Sequence, residues 1–164
     1  MASWSRRPRR RARMGNDNLD KMIAKRWPYS EACPEALAEL GRRVAAVGKR
    51  RELVHYSKLV NGLELRMAGA GDGAPFELGV PDWSDQDRKI LGDLLGRLSL
   101  DTYQRGRFLA SALVTAKGTQ EPGEGFWSFV DELGLLTSNS PTRRLMFWTE
   151  QVRLAHEWYA NNTW

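Results

Sequence analysis

One cysteine, Cys33, and two histidines, His55 and His156, are the side chains from which this chain could assemble a nucleophile and its base. Cys33 sits in Ala32-Cys33-Pro34, with neither a glycine-rich elbow nor an oxyanion signature beside it, and reads as a buried or helix-surface thiol. Acid chemistry has two candidates. Pro81-Asp82 and Thr115-Ala116-Lys117 follow the order of the proline-aspartate and acid-x-lysine elements of one class of metal-dependent nucleases, in which two carboxylates hold the metal. Thr115 stands where the second carboxylate is required, so the match fails at an essential atom and Asp82 reads as a turn or cap residue. Glu121 and Glu124 flank Pro122-Gly123 and could bind a cation or accept protons, but acids in that position also favour the positive end of the helix that follows. The glycines between Gly69 and Gly73 lead into Pro75 rather than into a helix, so they form no phosphate-binding loop or dinucleotide fingerprint. No catalytic residue, metal or cofactor is expected, and the residues favour a non-enzymatic protein.

Binding chemistry is better supplied. Arg6, Arg7, Arg9, Arg10, Arg11 and Arg13 fall within the first 13 residues with no acid among them. With those six taken from the 25 Lys and Arg, 19 remain against 20 Asp and Glu, a net charge of about −1, so the +5 of the whole chain belongs to this segment. Residues 1–15 are expected to be a disordered basic arm that grips phosphates, each engaged arginine releasing counterions; the alternative is a solvated tail ahead of a true start at Met14. In the body, Arg105 and Arg107 bracket Gly106, and Arg143 and Arg144 open the last helix, all four as nucleic-acid contacts. Trp148, Trp158 and Trp164 are the candidate anchors for a protein partner or a second copy, in which case they would be exposed in the isolated chain.

These residues need elements to position them. Asn16-Asp17-Asn18 reads as the cap of a short helix over 19–27, ended by Pro28. Pro34 opens a second helix in which Leu37, Leu40, Val44 and Val47 make one stripe, closed by Gly48. After a short apolar run, Ser57 is expected to cap a brief helix. Leu63 to Met67 and Phe76 to Val80 alternate apolar with polar or small residues across a glycine-rich turn, which reads as a β-hairpin. Ser84 or Asp85 caps a helix with Ile90, Leu91, Leu94, Leu95 and Leu98 in its stripe, and residues 99–105 form a separate turn or short helix. Residues 108–115 read as a buried strand, residues 126–136 as a helix, and residues 141–161 as a final helix with Leu145, Trp148, Val152, Ala155 and Tyr159 on one face.

A chain of 164 residues with 41% apolar content suffices for one core, so residues 16–164 are expected to form a single domain. No stretch approaches the roughly 20 apolar residues of a membrane span and no secretory signal opens the chain, which makes the cytoplasm the expected compartment and excludes a membrane partner. A lone cysteine leaves stability to packing.

From Val54 to Phe126 the order of features resembles the winged-helix-like half of alkylguanine-DNA alkyltransferases and alkyltransferase-like proteins. The resemblance rests on Val54-x-Tyr56, Leu59 in the helix that follows, a later helix ending in Leu95-Gly96, the apolar segment Leu109 to Val114, and the turn Gly123 to Phe126. The same order, with Pro122-Gly123-Glu124-Gly125-Phe126, also resembles small bacterial proteins without an assigned function. Where the alkyltransferases carry their acceptor thiol this chain has Ala110-Ser111-Ala112-Leu113-Val114, so alkyl transfer to cysteine is not expected. The fold expected is α+β, mainly α: a helical domain with a small β-hairpin or wing, winged-helix-like. The function expected is that of a bacterial nucleic-acid-binding or regulatory protein, with a protein-interaction subunit of a larger bacterial complex as the alternative.

Overall fold

The computed structural model describes residues 9–69 and 71–164, with side chains from residue 17 onward. Arg6 and Arg7 lie outside the described residues, as do the side chains of Arg9, Arg10, Arg11 and Arg13. Helix α1 runs Arg9–Ala24, so its backbone reaches back into the segment read as an arm. Asn16, Asp17 and Asn18 fall inside this helix and do not cap it. Arginine and alanine are good helix formers, and Met22 and Leu19 of the same helix pack in one cluster with Leu133, which gives the turn before them something to grow from.

Pro28 does more than end a helix. It opens α2 (Pro28–Ala32), and Pro34 opens α3 (Pro34–Lys49), each at a first-turn position that has no intrahelical N–H bond to lose. The donors at the start of α2 are satisfied from outside: Ser30 N and Oγ donate to Asp93 Oδ1 at 2.8 and 2.6 Å. Strand β1 (Val54–His55) leads into α4 (Tyr56–Leu59), where His55 takes the cap position and Ser57 lies within the turn. The hairpin is present as β2 (Glu64–Leu65) and β3 (Phe76–Glu77), antiparallel with Leu65 opposite Phe76. Its alternation buries Leu63, Leu65, Met67 and Leu78 and leaves Glu64 and Glu77 outside.

Ser84 caps α5 (Asp85–Gly106) in a reciprocal arrangement with Asp87, each side chain bonding the other's backbone N–H. Residues 99–105 continue α5 without interruption, because no proline or glycine occurs between Leu98 and Gly106. After Arg107, at φ 60°, the chain enters a segment that is fully buried but is not the strand its apolar run suggests. Residues Ala110–Leu113 form a 3-10 turn, and only Val114–Thr115 (β4) pair, in parallel with β1. The reason is that side chains replace a ladder. Leu109 N donates to Gln151 Oε1 at 2.8 Å, Ala110 N to Thr102 Oγ1 at 3.0 Å and Ser111 N to Ser99 Oγ at 3.0 Å. Phe108 O accepts from Thr102 Oγ1 and Ala112 O from Trp148 Nε1. Each backbone polar group taken up this way no longer needs a neighbouring strand.

Helix α6 (Glu124–Leu133) and helix α7 (Pro141–Asn161, capped by Ser140) complete the fold. One core gathers Leu40, Val44, Leu94, Leu98, Phe108 and Tyr159; a second gathers Met22, Trp27, Leu109, Phe126, Phe129 and Leu133. The class is α+β and mainly α, with two separate two-stranded sheets among the described residues. Among the described residues no helix is long and apolar enough to cross a membrane.

Candidate functional site

The nucleophile and base candidates are engaged separately. Cys33 is buried, its thiol donating to Arg66 O at 3.2 Å. His55 Nδ1 lies 2.9 Å from Thr115 Oγ1 across the β1–β4 pair, and His156 Nε2, on the chain's last helix, lies 2.9 Å from Glu52 O. Asp82 is an exposed turn residue. Glu124 occupies the first turn of α6, while Glu121 stays in the loop, where its carbonyl accepts from Ala116 N. Among the described residues no three His, Cys, Asp or Glu side chains are placed to hold a metal.

The body arginines do not make one patch. Arg105 lies over the Trp164 ring at 4.9 Å and Arg107 over Tyr103 at 5.3 Å, both at the end of α5. Arg144 lies over Trp127 at 4.8 Å, beside exposed Arg143 at the start of α7. With a helix rise of about 1.5 Å per residue, the 14 positions from Arg144 to Trp158, which touches Trp164, span roughly 21 Å. Three of the four guanidinium groups are thus stacked on the chain's own aromatics. The same holds for the tryptophans. Trp148 donates to Ala112 O, Trp158 packs on Phe108 and Tyr159, and Trp164 lies against Gly41, so all three are half-buried and the exposure expected of free anchors is not found. The apolar side chains that α7 does expose are Leu145 and Met146, at 54% and 63%.

What the fold builds instead is an apolar cleft of about 500 Å³ between α5 and the start of α6. Its size falls within the roughly 300–1,000 Å³ of small-molecule sites. One wall is the face of α5 that carries Leu91, Gly92, Leu95 and Gly96 at three- and four-residue steps. The facing wall is Gly123, Gly125, Phe126 and Phe129 of α6 and the residue before it, with Val114 and Ser111 behind. Trp27, Tyr56 and Trp83 close the sides, Tyr56 and Trp83 edge to face at 5.2 Å.

The two α5 glycines have different tasks. A Cβ on Gly96 would come 2.6 Å from the Trp27 ring, so glycine is what lets that indole lie on the helix; a Cβ on Gly92 would meet nothing within 4 Å and would enter the open cleft. At the rim Lys25 pairs with Glu132 at 3.4 Å and lies 4.8 Å over Trp27, while Arg88 pairs with Asp85 at 3.2 Å and Glu124 stands at the first turn of α6. Deeper in, Ser99 Oγ donates to Ser111 Oγ at 2.7 Å, and Ser111 is only 8% exposed. Periodicity assigns Leu91 and Leu95 to the apolar stripe of α5 and is silent on Gly92 and Gly96. Two small residues four apart beside that stripe are the signal that this helix face leaves room for something.

No protein-family model, curated protein or solved structure matches this chain. The site's geometry therefore carries the functional reading.

Proposed function

We propose that this chain is a non-enzymatic nucleic-acid-binding or regulatory protein of the bacterial cytoplasm that receives one unstacked base in the aromatic cleft. The observation that carries the reading is a convergence. Tyr56, Ser111 and Gly123 to Phe126 come from three separate stretches on which the likeness to alkyltransferase-like proteins rests, and all of them line the cleft. Every base offers a π-face, and stacking on an aromatic side chain contributes about 1–3 kcal/mol per base. The arginines of the first 13 residues supply phosphate contacts that hold the strand without reading it. Arg143, Arg105 and Arg107 are reserve contacts at two ends of the body.

Fluorescence anisotropy of labelled single-stranded DNA, duplex DNA and RNA across a salt series tests this. Every phosphate that is no longer neutralised should reduce the slope of log K against log salt by about 0.9 on duplex and about 0.7 on single strands, so a Met14-start chain should bind more weakly and with a shallower slope. Its residual binding should fall further with Gly92→Leu, which fills the cleft. Absence of binding by either chain at low salt refutes the reading.

A second reading is a subunit of a larger bacterial complex or a homo-oligomer, docking through α7. Leu145 and Met146, adjacent and exposed, favour it over an interface centred on the packed Trp148, Trp158 and Trp164. A concentration-dependent mass in sedimentation that disappears on Leu145→Ser with Met146→Ser supports it.

A further inference from the structure

The inner end of the cleft has a hydrogen-bond arithmetic that does not close within the chain. Ser99 is fully buried on α5; its Oγ accepts from Ser111 N at 3.0 Å and donates its one proton to Ser111 Oγ at 2.7 Å. The two hydroxyls carry two protons and share one hydrogen bond, so one proton has no acceptor among the described residues, and of the two side chains it is Ser111 that lines the cleft. A buried donor without a partner is costly unless something supplies an acceptor.

The carboxylates of the cleft do not supply it. Glu132 faces Lys25 at the exposed rim, and Glu124 is exposed at the first turn of α6. Both cations of the rim are paired, Lys25 with Glu132 at 3.4 Å and Arg88 with Asp85 at 3.2 Å, so the entrance offers no free cation to an anionic group. Walls of Trp, Tyr, Phe, Leu and Gly accept a flat apolar body.

We infer that the cleft selects a neutral, flat heteroaromatic group that carries a hydrogen-bond acceptor on its inner edge, and that the Ser111 hydroxyl is the donor that reads this acceptor. Ser99 acts through Ser111, holding its oxygen so that the proton is directed away from the protein. The inference rests on the cleft being the binding site proposed above, and the same chemistry belongs to a base in a strand or to a free heterocycle.

Naphthalene and quinoline separate the donor's contribution from shape, being bicycles of the same outline of which the second has a ring-nitrogen acceptor. Titrated into the full chain and followed by the indole N–H signals in two-dimensional NMR, quinoline should bind about fivefold more tightly, the worth of one neutral hydrogen bond. In Ser111→Ala the preference should vanish while naphthalene binds as before. Gly92→Leu, at a position where added atoms enter open space, should abolish both. Equal affinities in the unaltered chain, a preference that survives Ser111→Ala, unchanged binding to Gly92→Leu, or no binding of either probe each overturns the inference. A single-stranded oligonucleotide then distinguishes the two claims. If it displaces quinoline, the acceptor belongs to a base and both stand; if quinoline keeps its Ser111-dependent preference and no oligonucleotide binds, the nucleic-acid reading falls and a free heterocycle remains.

Discussion

Replacing Thr102 with valine removes a hydroxyl and almost nothing else. Thr102 has no exposed surface, and its Oγ1 both donates to Phe108 O at 2.9 Å and accepts from Ala110 N at 3.0 Å, clamping the two ends of a three-residue stretch. Valine fills the same space, so the cost is that of leaving one buried C=O and one buried N–H unpaired. At about 1–3 kcal/mol for each stranded group, and with the methyl partly compensating, the loss should be about 2–4 kcal/mol. That is a large share of the roughly 5–15 kcal/mol that holds a domain folded, and at about 2–4 °C per kcal/mol for a chain of this size it lowers Tm by roughly 4–16 °C. Thr102→Ser is the control: it keeps both hydrogen bonds, loses one methyl and should cost about 1 kcal/mol. Urea unfolding followed by tryptophan fluorescence gives the stabilities, and amide exchange at Ala110 should speed up in the valine variant ahead of the rest of the core. A valine variant within about 0.5 kcal/mol of the unaltered chain, or equal to the serine variant, refutes the view that side chains stand in for a strand ladder here.

The glycines give a pair of opposite sign. Gly92→Ala should stabilise by up to about 1 kcal/mol because its Cβ meets nothing, whereas Gly48→Ala should cost about 1–3 kcal/mol or more because its Cβ runs into the ring and Cβ of Tyr159; thermal melts of both decide. Asp93→Ala strands Ser30 N and Oγ at the start of α2 and should cost about 1–2 kcal/mol in chemical denaturation, while Asp131→Ala, at a site exposed on α6, should not. Burial holds the Asp101 carboxyl above its ordinary value, with Arg97 and Arg105 only partly offsetting it. An acid with a raised folded-state value destabilises the fold at neutral pH and ceases to do so as the pH falls through that value. Asp101→Asn should therefore raise stability at pH 7, with the gain shrinking toward acid pH; a gain that grows on acidification would reverse the sign of this reading.

Local pattern and global pairing contributed differently to what this chain becomes. The residues alone determined α3 and α7, since the stripe from Leu37 to Val47 and the Ser140-Pro141 start are signals carried within a few turns of one helix. They determined the hairpin too, because alternation and the glycine-rich turn sit together in sequence. They also set where the positive charge lies and that a lone cysteine leaves stability to packing. Residues 108–115 show where such reading stops. Their apolar run correctly implied burial, yet burial is compatible with a strand or a turn, and the choice was made by Ser99, Thr102, Trp148 and Gln151, which reach the segment from two helices 6 to 42 residues away. The cleft is of the same kind. Tyr56, Gly92, Ser111 and Phe126 have no local pattern in common, and only the packing of α5 against α6 and the Ala110–Leu113 turn makes one site of them. Trp148, Trp158 and Trp164, legible as anchors by type, are instead packed against the body because the chain's own groups reached them first. Periodicity reports which face is apolar; it carries no record of which surface will cover that face, and that was decided by the tertiary structure.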